Sequence, residues 1–184
     1  MDTAIQQLRF ELPSDPARFN ALLDQILVDI DRSLADSPHA PNIRKKSRWI
    51  ITELITNGYK HSGEAAIIIR IEFHPHGVHI IKEDTGSPLK LFLSDGEVIC
   101  WPVGEQHYNR VINISHDPLN VLDGHIEPEG DVRFVVREKQ PTDHDATKVN
   151  EHFGLIIIAS LCNSFTYRFS NDGKNIFTSI IHFD

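Results

Sequence analysis

Glu53 and Asn57 stand four residues apart in the run Glu-Leu-Ile-Thr-Asn-Gly-Tyr-Lys-His-Ser-Gly, residues 53–63. On a helix advancing roughly 100° per residue, Glu53, Asn57 and Lys60 share one polar arc, while Ile50, Ile51, Leu54, Ile55 and Gly58 share an apolar one. The polar stripe is expected to face away from the core. A carboxylate and an amide pointing the same way from adjacent turns can hold a hydrated divalent cation or orient a water. A lone Glu–Asn pair is more often a solvated helix face, so the pair needs company. Further on, a β-rich run ends in Glu83-Asp84-Thr85-Gly86. The Asp84 carboxylate is an acceptor-only group that can take a hydrogen bond from a ligand's N–H donor. Gly86 lets the chain turn and come close to such a ligand.

These residues need elements to hold them. Residues 5–12 have strand character, and Ser14-Asp15-Pro16 offers a capping residue with proline just inside a helix start. From 17 to 34 the apolar residues Phe19, Leu22, Leu23, Ile26, Leu27 and Ile30 recur at spacings of three and four, one buried helical face. The run Ser37-Pro38-His39-Ala40-Pro41 breaks it, and a second long helix is expected over 42–61, closed by Ser62-Gly63. Strands follow at 66–73 and 78–82 around a His-Pro-His-Gly turn, then an apolar helix at 154–162 and a hairpin of 165–170 with 176–183 around Asn171-Asp172-Gly173. The segment 90–150 reads as a partly β-structured insertion, with short runs at 91–93, 98–101 and 132–136 broken by Asp95-Gly96, Asp123-Gly124 and Glu129-Gly130. Its stretch 140–150 is polar and is expected to be mobile.

The wording of residues 53–63, followed by the strand that ends in Asp84-Thr85-Gly86, resembles the N box and first glycine box of the gyrase, histidine-kinase and MutL superfamily of ATPases. The layout is most similar to the bacterial anti-sigma-factor serine kinases, which also begin strand, helix, helix. His152-Phe153-Gly154-Leu155 resembles the second glycine box, whose backbone N–H groups and helix N-terminus receive phosphate charge. The resemblance covers 1–89 and 151–184. It implies one α/β domain over 1–184, an α+β two-layer sandwich with a mixed β-sheet covered on one face by helices, the Bergerat-type ATP-binding fold with an insertion. It implies ATP and Mg²⁺ as cofactors. Asn57 would hold the Mg²⁺, Glu53 would activate the attacking group, and Lys60 or His61 would lie near the phosphates. Asp84 and Gly86 would line the adenine site, and Gly154 with Leu155 the phosphate site. Pro88 stands where the family usually has a second glycine, which stiffens that loop. His152 stands where a glycine is common, and Asn175-Ile176 near a Gly-Thr of many members. Those departures bear on turnover more than on binding.

The implied function is a Mg-ATP-binding regulatory protein that phosphorylates or sequesters a protein partner: a sigma factor, an anti-anti-sigma protein or another signalling protein. A non-catalytic nucleotide sensor and the catalytic module of a split histidine kinase are the alternatives, and a homodimer is left open. The 184 residues, 40% apolar, suffice for one substantial core. With 26 acidic against 18 basic residues and a net charge of −8, nucleic acid is not an expected partner. Two cysteines build no disulfide scaffold, the start lacks a signal-peptide pattern, and the longest apolar stretch falls far short of the roughly 20 residues that cross a bilayer. The cytoplasm is the expected compartment, without a membrane span.

Other residues suggest less. His74, His76 and His79 straddle a turn with no carboxylate or cysteine at ligand spacing, a weak metal motif. Ser115-His116-Asp117-Pro118 lacks the long helix a phospho-acceptor histidine needs. Trp49, Trp101 and Cys162 are expected to serve packing.

Overall fold

The computed structural model describes residues 6–13, 15–61, 63, 66–93, 96–140 and 153–183. Strand β1 (Gln6–Glu11) leads to Asp15, whose carboxylate accepts the Ala17 N–H at 3.0 Å ahead of a short 3-10 turn and helix α1 (Phe19–Ser33). Helix α2 (Ala40–His61) starts slightly earlier than expected, because Pro41 is tolerated in a first turn, where its missing N–H has no partner to lose. Then come β2 (Ile67–His74), β3 (Gly77–Asp84), β4 (Lys90–Phe92), β5 (Val98–Cys100), β6 (Val111–His116), β7 (Asn120–Ile126) and β8 (Val132–Glu138). Helix α3 (Phe153–Leu161) precedes the closing hairpin of β9 (Ser164–Phe169) and β10 (Asn175–His182).

The main sheet has the order β1-β2-β3-β10-β9-β8-β7-β6, and β4 pairs only with β5. Every pairing is antiparallel, so the mixed sheet expected from sequence is corrected to an antiparallel one. The helical connections from β1 to β2 and from β8 to β9 each return the chain to the end of the sheet it left; β2–β3, β4–β5, β6–β7, β7–β8 and β9–β10 are hairpins, while β3 to β4 and β5 to β6 join the two sheets.

The helices cover one face of this sheet. Leu23, Ile26, Leu27 and Ile30 of α1 and Ile43, Ile50, Ile51, Leu54 and Ile55 of α2 share a core with Ile67, Ile69, Ile71 and Phe73 of β2. Side chains alternate across a strand, so the residues of β3 in register with these, Asp84, Lys82, Ile80 and Val78, point to the same side. Leu155, Ile156 and Ile158 of α3 continue the core over Ile112, Ile114, Phe134 and Phe165.

The insertion is more regular than its sequence suggests. Strands β6, β7 and β8 extend the main sheet, and Asp123-Gly124, read from sequence as a break, lies inside β7. Asp123 is satisfied there by Arg137 at 2.7 Å and Asn113 at 3.2 Å. A Cβ on Gly124 would lie 2.9 Å from the Ile114 Cδ1 and 3.1 Å from side-chain carbons of Ile112 and Val132, so the missing side chain makes room for core packing. The expected mobile stretch lies outside the described residues apart from Gln140. Trp101 packs as expected, edge-on to Tyr167 with its indole N–H donated to the Gly130 carbonyl at 2.8 Å. Trp49 does not. It is 51% exposed, on the solvent side of α2. No helix among the described residues is long and apolar enough to cross a membrane.

Gly77 opens β3 where a Cβ would collide with the Ile181 carbonyl oxygen of β10, a backbone atom that cannot rotate away. Gly77→Ala is therefore expected to destabilise the fold by about 1–3 kcal/mol. Gly124→Ala meets side-chain carbons, which can shift further than backbone, and should cost less. Denaturant midpoints of the two variants check this, and equal losses would contradict it.

Candidate functional site

Two clusters hold the residues singled out from sequence. In the first, Glu53 and Asn57 are half-buried rather than solvated, because α3 packs on their side of α2. A Cβ on Gly154, the second residue of α3, would lie 2.5 Å from the Glu53 Oε2 and 3.4 Å from the Asn57 Nδ2. Glycine leaves the Glu53 carboxylate this close; a larger residue would push that flexible side chain aside. The polar stripe thus faces the start of another helix, which corrects the expectation of a face turned outward. The Glu53 carboxylate lies at the positive end of α3, the place the sequence reading reserves for phosphate. Lys60 and His61 are exposed at the end of α2. Partial desolvation, then the Lys60 and Lys82 charges, hold the His61 imidazole below the usual histidine range. Leu155 is a buried core residue, so only its backbone is left for a ligand. His152 lies outside the described residues.

The second cluster centres on Asp84. Its Oδ1 accepts the Gly86 N–H at 2.8 Å and the Asn175 Nδ2 at 2.9 Å, and its Oδ2 pairs closely with the Lys82 ammonium. Asn175 also donates to the carbonyls of Gly86 at 3.1 Å and Ser87 at 3.3 Å, and its Oδ1 accepts the Tyr167 hydroxyl at 2.8 Å. That hydroxyl in turn accepts the Leu89 N–H at 3.0 Å. A carboxylate offers about four acceptor sites, so three donors leave one unused on Oδ2.

Sequence reasoning missed Lys82 and Asn175 as partners. Lys82 is only 4% exposed, its stem beside Gly58 of α2 and its ammonium over the Phe177 ring at 5.2 Å. The period-two pattern of Val78, Ile80, Lys82 and Asp84 puts it on the core face, and that pattern was readable. Burial lowers the Lys82 pKa against the opposing pull of Asp84. Burial alone would raise Asp84, but Lys82, Asn175 and the Gly86 N–H together hold its carboxyl below the usual range.

The oxygen donors of Glu53 and Asn57 suit a hard cation such as Mg²⁺, and the glycine-backed start of α3 suits phosphate. The residues present therefore fit the group that the sequence implies. Neither the protein-family models nor the curated proteins contain a match to this chain.

The native Asp84 carboxyl binds its proton less readily than a free one, so its stabilising contribution is complete above the unfolded value of about 3.9 and is lost as pH falls through the folded value. Asp84→Asn should flatten the acid limb of the stability profile, measured by denaturation between neutral pH and about pH 2. Lys82→Met leaves a buried carboxylate without its cation and is expected to cost about 3–5 kcal/mol at neutral pH. A loss within the error of the same measurement would show that the pair is not formed.

Proposed function

We propose that the chain is a Mg-ATP-binding regulatory protein with the Bergerat-type ATP-binding fold, of the anti-sigma serine-kinase kind, acting in the cytoplasm on a signalling protein partner. The observation that carries this reading is the meeting of Glu53, Asn57 and Gly154. The resemblance picked out these residues from two distant stretches of chain, and packing brings them into contact. The link from Asp84 and Gly86 to Asn175, on the late strand where many family members carry Gly-Thr, adds support from a second distant pair.

In this reading Mg²⁺, when bound, neutralises phosphate charge, and phosphoryl transfer depends mostly on that and on positioning. Asn57 holds the cation through its amide oxygen. Asp84 offers its remaining acceptor site to the adenine amine, with Gly86 leaving room for the ring. The backbone N–H groups at Gly154 and Leu155 face the phosphates. Glu53 orients or deprotonates the partner's hydroxyl.

A second reading, nucleotide sensing without turnover, is favoured by the closure of Asp84. Its side chain is 2% exposed and already paired with Lys82, so adenine enters only when the 85–88 segment opens. Nucleotide binding would then be coupled to a change of shape at that edge.

Asp84→Asn should weaken ATP by about 1–3 kcal/mol, because the amide can turn a donor toward the adenine amine. Asn57→Ala should lower Mg-ATP affinity and its dependence on the metal. Glu53→Ala should leave affinity unchanged or improve it, because it removes a carboxylate from the phosphate-binding end of α3, while turnover falls roughly 10²–10⁴-fold. Titration calorimetry with and without Mg²⁺, beside a phosphotransfer assay, measures all three. Absence of ATP and ADP binding to the wild type at millimolar nucleotide sinks the reading. Binding without turnover selects the sensor.

A further inference from the structure

The sheet face away from the helices carries a group of residues that the nucleotide reading does not use. On β2, Glu72 and His74 are two apart and share that face, and on β3 His79 stands directly opposite Glu72. One ligand atom from each of the three lies within 4.8 Å of the others. The two imidazoles stack with centroids 4.0 Å apart. The sequence suggested a weak motif of His74, His76 and His79. In the fold His76 sits exposed on the turn and outside the cluster, and Glu72, two residues before His74 on the same strand, supplies a carboxylate that the sequence reading overlooked.

His74 supplies the independent observation. Its side chain is 10% exposed, and both ring nitrogens are buried without a hydrogen-bond partner. The Glu72 Oε2 is 3.5 Å from Nε2, too far for a sound hydrogen bond. A buried imidazole with neither nitrogen satisfied carries a desolvation penalty that an ordered water or a bound ion relieves. The other Glu72 oxygen lies 2.9 Å from the Arg70 Nε, an ion pair that lacks hydrogen-bond alignment, while Oε2 lies on the His74 side.

We propose that Glu72, His74 and His79 form a binding site for a borderline divalent transition metal, Zn²⁺ foremost. Two imidazoles and one carboxylate match the three-ligand sets of zinc, with a fourth position left to water or an exchangeable ligand. Imidazole nitrogen disfavours Mg²⁺ and Ca²⁺, so this site is chemically distinct from the oxygen donors at Asn57. Bonds of about 2.0–2.1 Å place tetrahedral ligand atoms roughly 3.3 Å apart. The present spacing closes by rotation of side-chain torsions, because the hairpin already holds the three residues in register. The metal would staple β2 to β3 on the outer face, and the inference stands whether or not the chain binds ATP.

The test is titration calorimetry of the untagged full chain with Zn²⁺ at neutral pH, repeated with Co²⁺ while its visible absorption is followed. One Zn²⁺ per chain is expected, with a dissociation constant in the micromolar range or below and intense Co²⁺ bands of a tetrahedral site. His74→Ala and His79→Ala should each weaken binding by about tenfold or more, and His76→Ala should leave it unchanged. No Zn²⁺ binding by the wild type at about 100 µM metal, or an equal loss in His76→Ala, overturns the site. Should the His74 or His79 variant fail to fold, NMR of the wild-type histidine rings decides. Zn²⁺-induced shifts confined to His74 and His79 support the site, and shifts centred on other histidines overturn it.

Discussion

The buried pairing of Lys82 with Asp84 is the constraint around which the centre of the molecule is arranged. A lysine and an aspartate two apart on the core face of a strand cannot both be dehydrated unless they satisfy each other and their remaining hydrogen-bonding capacity is met. The second half of that condition recruits distant chain. Asn175 of β10 reaches Asp84 and the carbonyls of Gly86 and Ser87, and Tyr167 of β9 reaches Asn175 and the Leu89 N–H. One polar network thereby fixes the seating of β10 between β3 and β9 and the path of the chain leaving β3. Replacing such a pair with apolar residues is often no less stable. Its distinctive effect here is to admit one register, because a slip of a single residue would turn Lys82 and Asp84 to the outer face.

That register positions everything built on it. Leu91, Ile99, Trp101 and Val103 of the β4–β5 region reach the core beside Tyr167, so the small hairpin is tied to the same centre. On the far side, β6, β7 and β8 widen the sheet and give α3 a surface to cover, with Gly124 allowing Ile112, Ile114 and Val132 to close over β7. The position of α3 then decides what its first turn meets, which is Glu53 and Asn57.

How much of this was legible varies with the kind of signal. The apolar arcs of α1 and α2 were readable because a period near 3.6 persists over many residues, and both hairpin turns in the first and last parts of the chain carried glycine at the turn. Strands β6 and β7 were not, because Asp123-Gly124 looks like a turn when its cross-strand partner Arg137 and the packing above Gly124 are unknown. Trp49 misled for the opposite reason: tryptophan suggests a core, but its position on α2 faces solvent. Of the candidate site, Glu53, Asn57, Asp84, Gly86 and Gly154 were readable as motifs, whereas Asn175 became visible as a partner only through contacts made far along the chain. Lys82 was within reach of the alternation on β3 but reads as a solvent-facing residue until its partner is recognised.

The contact between Glu53 and α3 bears most directly on function. A carboxylate at a helix N-terminus is favourable in its own right, so the arrangement is electrostatically satisfied without any further anion. A phosphate arriving at the same helix end competes with that carboxylate and is repelled by it, and a cation between them relieves both effects. In the proposed function Asn57, four residues along the same face and beside the same glycine, would hold that cation. Charge balance at the start of α3 thus makes metal and phosphate binding mutually dependent in the proposed function. In that proposal Glu53 would act as a base and yet work against affinity, because the carboxylate that stabilises the helix end would have to tolerate a triphosphate beside it.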